Sequence, residues 1–180
     1  EAFIQSGFIP LIPIHSNKIV VATHPLIPGM IFKTYLDCYP VNKSGTADWL
    51  WLSRRCILAN KIRKSIEKNK YTYFTVPKKW LYPIPGQGNE RVHALLVAEK
   101  MNLVSHLENK EAWLNIPQEA LRQLLDIMLT EGGQSYRPDN IWKTEEGKFA
   151  FIDTEYPHLP PRFLEVIAYL NRETQHFWKM

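Results

Sequence analysis

The feature that most constrains this chain is a strand, turn and strand pattern in its second half. Pro138-Asp139-Asn140 leads into Ile141-Trp142, Glu145-Glu146-Gly147-Lys148 supplies turn residues, and Phe149-Ala150-Phe151-Ile152-Asp153 returns. Aromatic and β-branched residues on either side of a glycine-containing turn predict a β-hairpin. The hairpin sets Asn140, at the start of one strand, beside Asp153, at the end of the other. An amide and a carboxylate both offer oxygen to a hard cation, so this pair is a candidate metal position.

The chain has 180 residues, 45% of them hydrophobic, enough for one well-buried core or for two small lobes. No apolar run approaches the ~20 residues that span a bilayer, and the first residues lack the pattern of an export signal. A soluble protein of the cytoplasm is therefore expected, with no membrane span. Cys38 and Cys56 fit neither a zinc site nor a disulfide scaffold, and a single bridge between them stays open. The six histidines are scattered, without the spacing of zinc ligands, and read as structural or surface groups. The net charge of +4 is uneven: Arg54, Arg55, Lys61, Arg63, Lys64, Lys68 and Lys70 fall in one stretch. Aromatic residues do not interleave with these charges as single-strand binding favours, so a solvated helix face is expected and a nucleic-acid partner is not.

Local patterning predicts a mixed α and β chain. Strands are expected over Ile9 to Ile14, Ile19 to Thr23 and Met30 to Leu36, as an antiparallel meander. A helix follows from Trp49 to Lys68, with Trp51, Leu58, Ile62 and Ile66 on one stripe and Asp48 placed to cap it. Tyr71 to Val76 reads as β, Trp80 to Ile84 as a stretch broken by prolines before the loop Gly86-Gln87-Gly88, and Val92 to Ala98 as a strand buried on both faces or the central member of a sheet. A second helix begins near Asn115, opened by Pro117 and ended by Gly132-Gly133, with Leu121, Leu124, Leu125 and Met128 inward. After the hairpin, Pro160-Pro161 introduce one last helix through Phe163, Ile167, Leu170 and Phe177. Trp49, Trp51 and Trp80 are expected to fill core or inter-lobe space, the alternative being an exposed pair that anchors a partner.

This order of elements resembles that of the protein kinase-like fold. Arg137-Pro138-Asp139-Asn140-Ile141 is similar to the end of that family's catalytic loop, and Phe151-Ile152-Asp153 to the approach to its second metal-binding motif. The separation of Asn140 from Asp153 matches the usual one. The resemblance implies an α+β fold with a small antiparallel-sheet N-lobe, 1–101, and a reduced, mostly helical C-lobe, 102–180, forming one compact unit. It further implies ATP and Mg2+ as cofactors. Asn140 and Asp153 would hold the metal, Lys33 would meet the phosphates, and the backbone of Glu99 and Met101 would meet the adenine, so that Lys33, Asn140 and Asp153 converge on one cleft.

Departures from the family pattern shape the functional reading. Where the catalytic aspartate is expected stands Ser135, which is no base near neutral pH unless another group activates it. Gly133-Gln134 replace the residues that usually precede that position, and Thr154-Glu155 follow Asp153 in place of an aromatic residue and glycine. Only Gly7 precedes the first strand where a glycine-rich loop belongs, and the first long helix carries Glu67 at its far end instead of an inward glutamate. The chain also stops at Met180, before most of a substrate-binding lobe. The resemblance therefore implies a pseudokinase-type binding or regulatory module that takes nucleotide, with a protein partner and without confirmed catalytic residues. The alternatives are an atypical Mg-ATP-dependent phosphotransferase and a polyanion-binding domain.

Overall fold

A computed structural model describes residues 2–11, 19–35, 48–84 and 93–179. It is an α+β fold. The elements, in chain order, are α1 (Ala2–Gln5), β1 (Ile9–Pro10), β2 (Ile19–Thr23), β3 (Met30–Tyr35), α2 (Asp48–Asn69), β4 (Phe74–Thr75), β5 (Lys79–Ile84) and β6 (His93–Glu99). After them come α3 (His106–Leu114), α4 (Gln118–Glu131), β7 (Ile141–Lys143), β8 (Phe149–Phe151), α5 (Leu164–Ile167) and α6 (Arg172–Lys179). The chain divides into two compact units, one of residues 1–56 and 78–100 and the other of 57–77 and 101–180. Residues 57–77 thus join the second unit, whereas a simple cut after residue 101 keeps them with the first.

The first unit is an antiparallel sheet in the order β1-β2-β3-β6-β5. The expected meander of the first three strands is present as far as it is described; residues 12–18, 36–47 and 85–92, with the turn His15 to Lys18 and the loop Gly86 to Gly88, lie outside the described residues. So does the side chain of Asp48, and with it the expected cap. β6 lies inside the sheet, between β3 and β5, which agrees with the reading of the run as an inner strand and not with burial on both faces: Ala94, Leu96 and Ala98 are buried, while Leu95 and Val97 between them are half-buried. The uninterrupted apolar run hid this alternation, because leucine and valine also stand on the more open face. Leu52 and Cys56 of α2 pack on Ala94, Leu96 and Ala98. β5 runs unbroken through Pro83, opposite Ala94. It is the end strand of the sheet, where a missing N–H is tolerated.

The second unit encloses a larger cluster, in which Leu58 and Ile62 of α2 meet Phe74, Trp113, Leu121, Leu124, Ile127, Met128, Tyr136, Phe149 and Phe151. Its sheet has the order β4-β8-β7, with β4 parallel and β7 antiparallel to β8. α4 buries Leu121, Leu124 and Met128 as its spacing predicts, with Leu125 half-buried. Its start is later than expected, because Asn115 closes a preceding helix and Pro117 stands at the N-cap. The final helix is two helices. Asn171 interrupts it by accepting from the Thr174 N–H at 3.0 Å, the geometry of a fresh N-cap, and by donating to the Leu114 carbonyl at 2.6 Å.

Two surface expectations also change. Trp49 and Trp80 are exposed rather than core residues, and Trp51 is half-buried beneath the Arg54 guanidinium, 4.9 Å from its ring. The basic stretch does not form one solvated face: Arg55 is buried, and Arg63 donates to the Pro77 carbonyl at 2.9 Å and to the Asn60 side chain. Cys56 is a free, buried thiol and Cys38 lies outside the described residues. Burial pushes the Cys56 thiol up, against the opposing charges of Lys79 and Arg55. No described helix is long and apolar enough to cross a membrane.

Candidate functional site

The hairpin that carries the two metal-type residues is held at both ends. At the turn, the Thr144 N–H donates to the Lys148 carbonyl at 2.7 Å, and the Thr144 hydroxyl accepts from the Lys148 N–H at 3.2 Å. Gly147 takes φ +87°, a conformation that costs other residues strain. Lys143 lays its ammonium 4.5 Å from the Phe149 ring centre, and burial lowers its pKa. Ile141 pairs with Phe151, so the next residues outward are Asn140 and Ile152.

At that open end the Asn140 carbonyl accepts from the Ile152 N–H at 2.9 Å and from the Asp153 N–H at 3.3 Å. Asn140 and Asp153 are thus neighbours through the backbone. The Asn140 N–H itself donates to the Arg137 carbonyl at 2.8 Å, closing a turn that fixes where the residue leaves the loop. Both residues are half-buried. Among the described residues no group of three or more His, Cys, Asp or Glu side chains could hold a metal ion. An amide and one carboxylate suit magnesium, which keeps several waters and takes phosphate oxygens for the rest of its shell.

The loop before the hairpin is packed inward. Ser135 and Tyr136 are both buried, and the Tyr136 hydroxyl donates to the Gly132 carbonyl. Burial, with a smaller contribution from Glu131, raises the Tyr136 phenol. Gly133 takes φ +91°, and a Cβ there would stand 2.7 Å from Leu58 Cδ2 and 3.3 Å from the Glu155 carbonyl. The nearest alternative carboxylate, Asp139, pairs with Arg137 at 3.1 Å.

The remaining sequence-derived positions fall on other elements or between them. Lys33, in the first unit, lies opposite Leu96 in the β3–β6 ladder and Leu96 opposite Leu81, so Lys33 shares the sheet face on which Leu52 and Cys56 pack. It is half-buried. Glu99 ends β6 on the opposite face, where its carboxylate accepts from the Lys78 N–H at 2.8 Å and approaches the Lys78 ammonium at 3.8 Å. Met101 opens the second segment of the second unit and is half-buried. Asn140 and Asp153 are therefore the pair brought together within one unit.

α3 is an element that the sequence analysis does not predict, although Ser105 and Glu108 stand at capping-box spacing. The Ser105 hydroxyl accepts from the Glu108 N–H at 3.3 Å, and the Glu108 carboxylate accepts from the Ser105 N–H at 2.8 Å, a reciprocal capping box. These bonds hold the Glu108 carboxyl below its ordinary value. α3 carries Asn109, whose side chain donates to the Pro138 carbonyl at 3.3 Å and accepts from the Lys143 N–H at 2.8 Å. It thereby ties the helix to both sides of Asn140. No protein-family model matches the chain, and no curated protein does.

Proposed function

We propose that this chain is a degenerate kinase-like binding module that takes a magnesium-bound nucleotide and acts through partner recognition instead of phosphoryl transfer. The observation that carries this reading is the Asn140 carbonyl receiving the N–H groups of Ile152 and Asp153, which sets the backbones of an amide-bearing and a carboxylate-bearing residue side by side at one end of the hairpin. Supporting it is the order of elements: strands, the long α2, strands ending in β6 and Glu99, then α4 and the hairpin. Lys33 on β3 is the phosphate-facing candidate in this reading, and the backbone around Glu99 and Met101 the adenine-facing one.

Binding is favoured over catalysis because the position expected to hold a proton acceptor is the buried Ser135, and Asp139 is engaged by Arg137. Phosphoryl transfer depends on positioning the hydroxyl nucleophile as well as on neutralising phosphate charge. Here only the charge-neutralising residue types remain.

Thermal unfolding of the full chain with and without ATP and magnesium tests the reading. At a hundred times the dissociation constant, ligand stabilises the folded state by about 2.7 kcal/mol. The expected result is a rise in Tm that needs both components and is lost in Asp153→Ala and in Lys33→Ala. Absence of any shift in the unaltered chain contradicts nucleotide binding, and transfer of the γ-phosphoryl group to any acceptor contradicts the non-catalytic role.

A further inference from the structure

We propose that a cavity in the second unit, between α3 and the segment from Pro138 to Trp142, binds a small aromatic amino acid. None of Lys33, Asn140 and Asp153 lines it, so this site stands apart from the nucleotide reading. Its volume is about 270 Å³. Sites for drug-sized ligands run from about 300 to 1,000 Å³, which leaves this one sized for a single amino acid and too small for a whole nucleotide.

The floor is built before any ligand arrives. Trp113 is fully buried and donates its indole N–H to the Ile141 carbonyl at 3.0 Å. Both ends of the Asn109 amide are occupied, by the Pro138 carbonyl and the Lys143 N–H. The polar atoms of the floor are therefore committed to the protein, and what it offers a ligand is ring and aliphatic surface. The wall is equally fixed. Trp142 donates its indole N–H to the Val104 carbonyl at 2.9 Å and meets the His106 ring edge-on, with centroids 5.8 Å apart. Rings immobilised in this way receive another aromatic ring without first losing rotamer freedom.

The rim supplies the charges. Lys110, one helical turn beyond His106, and Asp139 both line the cavity and are exposed and opposite in sign, and Tyr169 lines it too. Asp139 meets Arg137 through Oδ2 at 3.1 Å, and its Oδ1 is left to receive an ammonium group beside the aromatic faces. Lys110 forms no ion pair among the described residues and can answer a carboxylate. A zwitterion with an aromatic side chain uses all three features at once. A simple aromatic acid or amine uses two.

Titration of the full chain with L-phenylalanine, 3-phenylpropionate, phenethylamine and glycine, followed by the indole N–H resonances of Trp113 and Trp142, tests this. Phenylalanine is expected to bind most tightly and glycine to leave both resonances unmoved. Exposed charge pairs contribute modestly, so Asp139→Asn should weaken phenylalanine about two- to fivefold while leaving 3-phenylpropionate unaffected, and Lys110→Gln should weaken it similarly while leaving phenethylamine unaffected. Both positions are exposed, so the variants retain the fold. Unmoved indole resonances with all four probes would overturn the proposal. So would equal binding of the three aromatic probes that neither variant changes.

Discussion

The two units of this molecule are stabilised by different means. In the second, aromatic side chains do most of the filling: Phe74, Trp113, Tyr136, Phe149 and Phe151 are all nearly or wholly inaccessible and belong to one continuous cluster. In the first, the described cluster against α2 consists of Leu52, Cys56, Leu96 and two alanines, Ala94 and Ala98. The sheet that carries it leaves Trp80, Tyr82 and Ile84 exposed along β5. A sheet packed through alanine brings a helix close but removes little apolar area from water, so hydrogen-bonded strand pairing carries more of its stability. Aromatic packing does the reverse. Asn140 and Asp153, the pair proposed to hold the metal, lie in the aromatic unit, at the end of the hairpin whose strand β8 contributes Phe149 and Phe151 to this cluster.

That contrast can be broken by truncation. Trp113→Ala should have the largest effect, about 3–5 kcal/mol lost in denaturant unfolding, because it empties the middle of the aromatic cluster and orphans the Ile141 carbonyl. Leu96→Ala, the corresponding change in the alanine-lined cluster, should cost about 2–3 kcal/mol. A larger loss from Leu96→Ala than from Trp113→Ala would reverse the comparison.

Smaller changes sharpen it. Gly133→Ala places a side chain at positive φ against Leu58 and should cost about 1–3 kcal/mol. A neutral result in the same unfolding assay would remove the close approach from the account. Ser105→Ala, which deletes the cap of α3, should cost about 1 kcal/mol. Because Glu108 sits below its ordinary value, the cap's contribution is present above that value and is lost as pH falls through the lowered one. The Ser105→Ala deficit, measured against pH, should therefore shrink in acid. A deficit unchanged from neutral to strongly acidic pH would show that Glu108 does not take part.

Much of this architecture was legible in the sequence where one physical signal acts alone. The hairpin was announced by its turn and flanking aromatic residues, β2 and β3 by their branched side chains, and α2 by its stripe of Leu58 and Ile62. Signals that compete were read less well. The run from Leu95 to Ala98 is apolar on both faces, so only packing reveals which face is covered. Pro83 argues against a strand unless the strand is known to be at an edge. Asn171 divides the last helix through a bond to Leu114, 57 residues away. The inward turn of Arg55 is likewise a tertiary effect that charge counting misses. For the site, the hairpin pairing that joins Asn140 to Asp153 followed from local spacing alone. The surroundings of Lys33 and Glu99 required the sheet register, and the α3 cavity needed a capping box that passed unread.

The most direct test of the central claim is manganese-induced relaxation in an amide-resolved NMR spectrum, with Mn2+ substituted for Mg2+ and a non-hydrolysable ATP analogue present. The account predicts that the amides of Asn140 and Asp153 broaden first, that broadening requires the nucleotide, and that Asp153→Ala abolishes it. Broadening centred elsewhere, or none at saturating nucleotide, would contradict the assignment of the hairpin as the metal-holding element.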